Sequence, residues 1–109
     1  MRRAEVWWAE WPAGQRHPVL LLSWDAHGDW REQVTVAAVI TRARGLDAEV
    51  VIGPADGMPQ ACVVNLDSIA TIRRGLLGPR ITTLGRARME EVERALHLAL
   101  GMDLPCQAK

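Results

Sequence analysis

The stretch AGQRHPVLLLS, Ala13 to Ser23, sets a guanidinium and an imidazole side by side at the mouth of an apolar run. Arg16 offers a planar fork of N–H donors that matches a phosphate and stays charged at any physiological pH. A histidine such as His17 ordinarily ionises near pH 6.5, so it can take or give a proton close to neutrality. Charge for an oxyanion and a proton carrier are two of the parts that phosphate-ester chemistry needs. A solvated turn leading into a strand is the plain alternative. No other chemistry competes strongly. The sequence carries no phosphate-binding loop, dinucleotide fingerprint, Gly-x-Ser-x-Gly or Cys–His arrangement. His17, His27 and His97 have no mutual ligand spacing, and Asp25 with His27 reads as a surface turn. Cys62 and Cys106 stand in unrelated contexts and read as free thiols.

The elements that must position this pair follow from periodicity. Arg3 to Trp11 alternates, with Ala4, Val6 and Trp8 on one side and Glu5 and Trp7 on the other, which predicts a strand broken at Trp11-Pro12-Ala13-Gly14. Pro18 to Trp24 predicts a second strand buried on both faces, its proline at the first position where a strand tolerates it. Gln33 to Thr41 predicts a third strand and Ala48 to Gly53 a fourth. Cys62 to Ile72 reads as a fifth, interrupted near Asn65-Leu66-Asp67. Gly75 to Pro79 then forms a tight connection into a short extended piece, Arg80 to Leu84. Met89, Val92, Leu96 and Ala99/Leu100 form a stripe opposite Glu90, Glu91 and Arg94, the mark of an amphipathic helix. Gly85 is its expected N-cap, Leu84 and Met89 a hydrophobic staple, and Gly101 a left-handed stop. The expectation is a mainly β (α+β) chain: a small, strongly bent antiparallel sheet or barrel of about five to seven strands, one domain over 1–109, closed by a C-terminal helix.

Composition narrows the partners. The 109 residues carry a net charge of +0, which argues against a uniformly basic nucleic-acid binder. Yet the only lysine is Lys109, so nearly all positive charge is arginine, the better phosphate ligand. GC-rich codon usage would give the same bias. No apolar run is long enough to span a bilayer, and Glu5 spoils the N-terminus as a signal peptide, so a cytoplasmic protein is expected.

Several stretches stand in a telling order. Ala4-Glu5-Val6-Trp7-Trp8 is a GEVWW-like opening, followed by a Gly-rich loop ending in a basic residue and proline, then VLLLS. A β-branched strand ends in Thr41, CVVNLDSIATI precedes LGPRITTL, and MEEVERALHLALG closes the chain. Together these resemble the MazF/PemK family of toxin endoribonucleases over nearly the whole length. The resemblance implies an SH3-like barrel of the CcdB/MazF type, a homodimer, and sequence-specific cleavage of single-stranded RNA (messenger, transfer or ribosomal) without metal or cofactor. In that chemistry the 2′-hydroxyl attacks the adjacent phosphate, leaving a 2′,3′-cyclic phosphate and a 5′-hydroxyl. It also implies a cognate antitoxin whose disordered tail occupies the RNA groove, operator DNA as a ligand of the toxin–antitoxin complex, and no membrane association.

The family's catalytic pair is an arginine before the proline of the second strand and a hydroxyl ending the third. Thr41 matches the hydroxyl. The arginine slot departs from the family's Gly-x-Arg-Pro: here it reads Gly14-Gln15-Arg16-His17-Pro18, so alignment on the proline selects His17 and alignment on the charge selects Arg16. Arg16 is expected to clamp the phosphate, with His17 in proton transfer, although neighbours in an extended chain point to opposite sides. Asp67 and Ser68 match a base-reading position, Ser68 standing in place of the commoner glutamine. Ser23 and Trp24 flank the catalytic loop, Trp24 stacking on a base or filling the core. Arg42 and Arg44 are placed to follow flanking phosphates, and Arg73, beside Arg74, to meet RNA or an acidic antitoxin tail; solvated turns would account for these as well. Two other functions fit the same fold: a CcdB-like toxin acting on gyrase, and a non-catalytic binding barrel. Arg16 and Thr41 favour the nuclease over the first, and the absence of net positive charge weighs against the second.

Overall fold

Three consecutive residues, Val19, Leu20 and Leu21, are each at most 2% exposed, and this double-sided burial organises the sheet. In a strand, neighbours point to opposite faces. Leu20 therefore enters one apolar cluster while Val19 and Leu21 enter another. The computed structural model describes residues 2–11, 14–23 and 32–102. Its strands are β1 (Glu5–Ala9), β2 (His17–Leu21), β3 (Gln33–Ile40), β4 (Glu49–Ile52), β5 (Cys62–Arg73) and β6 (Leu77–Thr83), followed by helix α1 (Arg86–Leu100). All pairings are antiparallel, in the order β4-β5-β3-β2-β1-β6.

The sheet curls but is not closed. Val6 of β1, Ile81 of β6 and Val50 and Ile52 of β4 come from opposite ends of the order yet share the larger core with Val92 and Ala95 of α1. Between the two edges, β4 and β6, there is no ladder. A 3₁₀ turn at Pro54–Asp56 sits at that seam, and the Thr82 hydroxyl donates to the Asp56 carbonyl at 2.8 Å. The expected barrel is thus an open six-stranded sheet sealed by a side chain. The smaller cluster lies on the other face, where Trp7, Ala9, Val34, Val36 and Ile72 meet Val19 and Leu21.

Several local expectations change. β5 runs unbroken to Arg73, but Ala37 pairs with Ile69 and Ala38 with Asn65, so Leu66, Asp67 and Ser68 form a bulge where an interruption is predicted. The connection before β6 is shorter than Gly75 to Pro79: a 3₁₀ turn at Arg74–Leu76 leads directly into the strand. Gly78 and Pro79 bulge opposite Trp8, where an edge strand accommodates a residue without an N–H. In α1, Gly85 and Gly101 cap as expected, Leu84 is buried and Met89 packs on the same core. Ala95 joins the buried stripe, whereas Leu100 is 58% exposed.

Two polar knots tie the curl. Glu5 is buried and accepts hydrogen bonds from the Arg2 backbone N–H (2.8 Å), the Trp7 indole (3.0 Å) and Arg80 of β6 (3.0 Å). Burial alone would raise its carboxyl pKa, but these donors outweigh it and the net shift is downward. Asp56 behaves alike: desolvation is overcome by Arg88 of α1 and the Gly53 N–H, again a lowering. Arg88 also reaches Glu91 at 2.9 Å, so one guanidinium docks the helix on the seam.

These features generate two expectations. Carboxylates held below their unfolded pKa of about 4 stabilise the fold fully above that value and lose the contribution as pH falls through the lowered one. Unfolding midpoints measured from pH 6 to pH 2.5 should fall steeply below about pH 4, and Glu5→Gln should lower the plateau and flatten that acid limb. The second concerns backbone strain. Ala4 has φ 81 in the turn closed by the Glu5 N–H and Arg2 carbonyl, and Gly57 has φ 90 with no room for a Cβ beside Thr82. Ala4→Gly should stabilise by about 1 kcal/mol and Gly57→Ala destabilise by roughly 1–3 kcal/mol, while Gly75→Ala, facing open space, serves as the neutral control in thermal melts.

Candidate nucleic-acid cleft

β2 and β3 pair as Val19↔Ala38, Leu20↔Ala37 and Leu21↔Val36. Among the described residues no pair joins β2 to β3 beyond Val19↔Ala38; counted on along each chain from there, Arg16 and Thr41 fall at matching positions, as do His17 and Ile40. Alternation gives the same grouping. Arg16 and Pro18 share the side of Leu20, and Thr41 shares that of Val39, both in the larger core; His17 follows Val19 to the other side. β5 extends the row, since Ile40↔Val63 continues to Thr41 opposite Cys62.

These strand ends open into a cleft of about 590 Å³. Trp8 and Arg16 to Pro18 form one wall, Val39 to Arg42 with Arg44 the next, and Met58 to Gln60 with Cys62 the third. Among the described residues three arginines and a histidine line it, and no carboxylate does. The Arg16 guanidinium lies over the Trp8 ring, 5.0 Å from its centroid, a cation–π contact that keeps the long side chain against the wall. The His17 Nε2 is 3.0 Å from the Gln15 Oε1. The loop bearing Arg42 and Arg44 is pinned from behind: the backbone N–H groups of Arg44 and Leu46 donate to the Glu49 carboxylate at 2.9 and 3.1 Å. A carboxylate thus serves the loop without entering the cleft.

Arg16, His17, Thr41, Arg42 and Arg44 therefore come together. Other expected site residues do not. The Ser23 Oγ accepts the Thr35 N–H at 2.5 Å and so fixes the end of β2. Asp67 and Ser68 are exposed on the β5 bulge, where the Asp67 N–H donates to the buried Asn65 Oδ1. Arg73 pairs with Gln33 at the far end of β3 and lies beside Glu32. Trp24, with Asp25 and His27, lies outside the described residues. Among the described residues no group of three or more His, Cys, Asp or Glu is gathered as metal ligands.

Sequence reading missed Trp8, Met58, Gln60 and Cys62 as cleft residues. Trp8 was legible only as an aromatic in a strand, and Met58 and Gln60 reach the cleft through contacts between β3, β4 and β5. Cys62 is buried, and desolvation, with the Asp56 charge second, pushes its thiol pKa up. It is a wall, with little thiolate to act as a nucleophile.

Fold and cleft together define a small β protein with an arginine-lined groove. The chain belongs to the PemK-like, MazF-like toxin family of type II toxin–antitoxin systems, whose description matches residues 2–100. It is 39% identical over 102 residues to the probable endoribonuclease MazF2 of Mycobacterium tuberculosis, covering 93% of this chain and 99% of that one. The probable endoribonuclease MazF5 of the same organism is 38% identical over 99 residues, covering 90% and 91%. Among solved structures, a mycobacterial endoribonuclease in complex with its cognate antitoxin aligns with a TM-score of 0.84 at 28% identity, over 96% of this chain and 99% of that chain. The Mycobacterium tuberculosis toxin MazF-mt6 gives 0.83 at 29%, over 91% and 98%. No helix among the described residues is long and apolar enough to cross a membrane.

The Cys62 environment has a direct readout. In a Cys106→Ser background, alkylation of Cys62 by iodoacetamide at pH 8 should be at least about tenfold slower than that of a free thiol peptide, and urea should abolish the difference.

Proposed function

We propose that this chain is the toxin of a type II toxin–antitoxin pair and an endoribonuclease that cuts single-stranded RNA in the cleft at the ends of β2 and β3. The observation that carries the reading is that Arg16 and Thr41 line one cleft past the last β2–β3 pair. A phosphodiester between them would meet a guanidinium and a hydroxyl at once. The 2′-oxygen attacks phosphorus, a 2′,3′-cyclic phosphate forms, and the P–O5′ bond breaks to leave a 5′-hydroxyl. Arg16 holds the equatorial oxygens, where negative charge accumulates, and Thr41 donates a hydrogen bond to one of them. One proton leaves the 2′-hydroxyl and one arrives at the 5′-oxygen; His17, at the rim, serves this transfer. Arg42 and Arg44 bind flanking phosphates. Asp67, Ser68 and Arg73, exposed away from the cleft, are available to nucleotides further along the strand.

The remaining parts of the reading follow the family. The active species is a homodimer in the cytoplasm. The antitoxin complex of the mycobacterial relative supports a cognate antitoxin for this chain as well, and its place is the cleft. The toxin–antitoxin complex in turn binds operator DNA. Messenger RNA is the main substrate, with transfer or ribosomal RNA as further ones. The gyrase-directed alternative leaves the arginine and hydroxyl of the cleft without a task, and no feature of the described residues favours it.

The test is a chelator-treated digest of a long single-stranded RNA, with the ends of the fragments analysed. Discrete cuts with cyclic-phosphate ends are expected. Arg16→Ala should lower the rate about 10²–10³-fold and Thr41→Val about tenfold or more, with His17→Ala milder than Arg16→Ala. An inactive His17→Ala beside a nearly normal Arg16→Ala would reverse the two roles. Affinity for uncleavable RNA should fall with salt, the slope shrinking by ~0.7 for each of Arg42 and Arg44 removed.

A further inference from the structure

Sequence recognition requires a side chain that reads a base edge beside the scissile phosphate, and the residues expected to do so, Asp67 and Ser68, are not in the cleft. Gln60 is. It stands on the wall formed after the 3₁₀ turn, between Pro59 and the start of β5. Cys62, two residues on, falls opposite Thr41 when the β3–β5 register is continued. Two residues span at most ~7 Å of chain, so Gln60 lies about one nucleotide from the Arg16–Thr41 row.

Its chemistry separates it from its neighbours. Arg16, Arg42 and Arg44 suit phosphates, which every nucleotide carries and which convey no sequence. The His17 ring already contacts Gln15. Gln60 is the one amide side chain lining the cleft, exposed, with no hydrogen bond from its carboxamide among the described residues. An amide presents a donor and an acceptor in one plane, the pattern that pairs with adjacent polar atoms on a base edge. Met58, 5% exposed, and Trp8 across the cleft supply the apolar surfaces against which an unstacked base rests.

We propose that Gln60 is a specificity-determining residue of this cleft, reading the edge of one unpaired base next to the scissile phosphate. The inference rests on the endoribonuclease reading above. Replacing the amide by a carboxylate leaves two acceptors and no donor, a pattern that guanine, with adjacent N1–H and N2–H donors, satisfies. Replacing it by alanine removes the contact.

The experiment compares wild type, Gln60→Ala, Gln60→Glu and the double variant Asp67→Ala/Ser68→Ala on an RNA pool with a randomised centre. The 5′-hydroxyl ends are sequenced, total cleavage rate is recorded, and folding is checked by thermal melting. Gln60→Ala should cut the preferred sequence roughly 5–100-fold more slowly at subsaturating RNA while its rate on the other bases at that position changes little, so that discrimination there falls by the same factor, and Gln60→Glu should move that position toward guanine. Unchanged base preference in Gln60→Ala overturns the proposal and leaves the nuclease reading standing. So does relaxation confined to the Asp67/Ser68 variant. A folded Gln60→Ala that no longer cuts also overturns it, by making the residue part of the machinery. A wild-type protein that leaves the whole pool intact overturns both readings.

Discussion

The pairing register of β2 against β3 decides what the rest of the molecule can do. Strand side chains alternate with a period of two, so a slip of one residue would turn every side chain to the other face. Leu20 would leave the larger core, Val19 and Leu21 would leave the smaller one, and His17 in place of Arg16 would share the side of Thr41. Burial on both sides is what forbids the slip: either direction removes at least one large apolar side chain from a filled core, at a cost of about 2 kcal/mol or more for each. The choice between guanidinium and imidazole, open at the level of the Gly14 to Pro18 sequence, is thus linked to hydrophobic packing three residues away.

A chain with no net charge still builds a cationic groove, and five of its acids are committed elsewhere. Glu5 holds Arg80, Asp56 and Glu91 share Arg88, Glu93 meets Arg3 at 3.2 Å, and Glu49 is turned toward backbone N–H groups. Arg16, Arg42 and Arg44 form no ion pair among the described residues. The exposed Arg3–Glu93 pair contributes little to stability, but its placement and that of the others segregate sign over the surface. A cleft with apolar walls focuses the remaining positive potential. Bulk neutrality and local selectivity for an anionic polymer are therefore compatible.

Much of this was legible in the residues. Alternation, the doubly apolar VLLL run and the glycine caps located the strands and the helix, because each is a local signal. Non-local geometry was not legible. Nothing in the first strand announces the burial of Glu5, whose partner Arg80 lies 75 residues away, and the Gly78-Pro79 pair looked like a turn because its bulge exists only opposite Trp8. Arg16, His17, Thr41, Arg42 and Arg44 could be singled out by type and order. The third wall could not, since Met58 and Gln60 sit in an ordinary loop until β4 and β5 bring it over the end of β3. Ser23, chosen for its place beside the basic loop, has its hydroxyl engaged by β3.

β2 belongs to both apolar clusters through adjacent residues. Neither half of the molecule can loosen while the other stays intact, because opening either one strips a wall from its neighbour along the same five-residue strand. The central amides should therefore exchange with solvent only when the whole chain melts. Five residues thus make the domain cooperative, so that a toxin of this size has no half-folded form in which the arginine and the hydroxyl could drift apart.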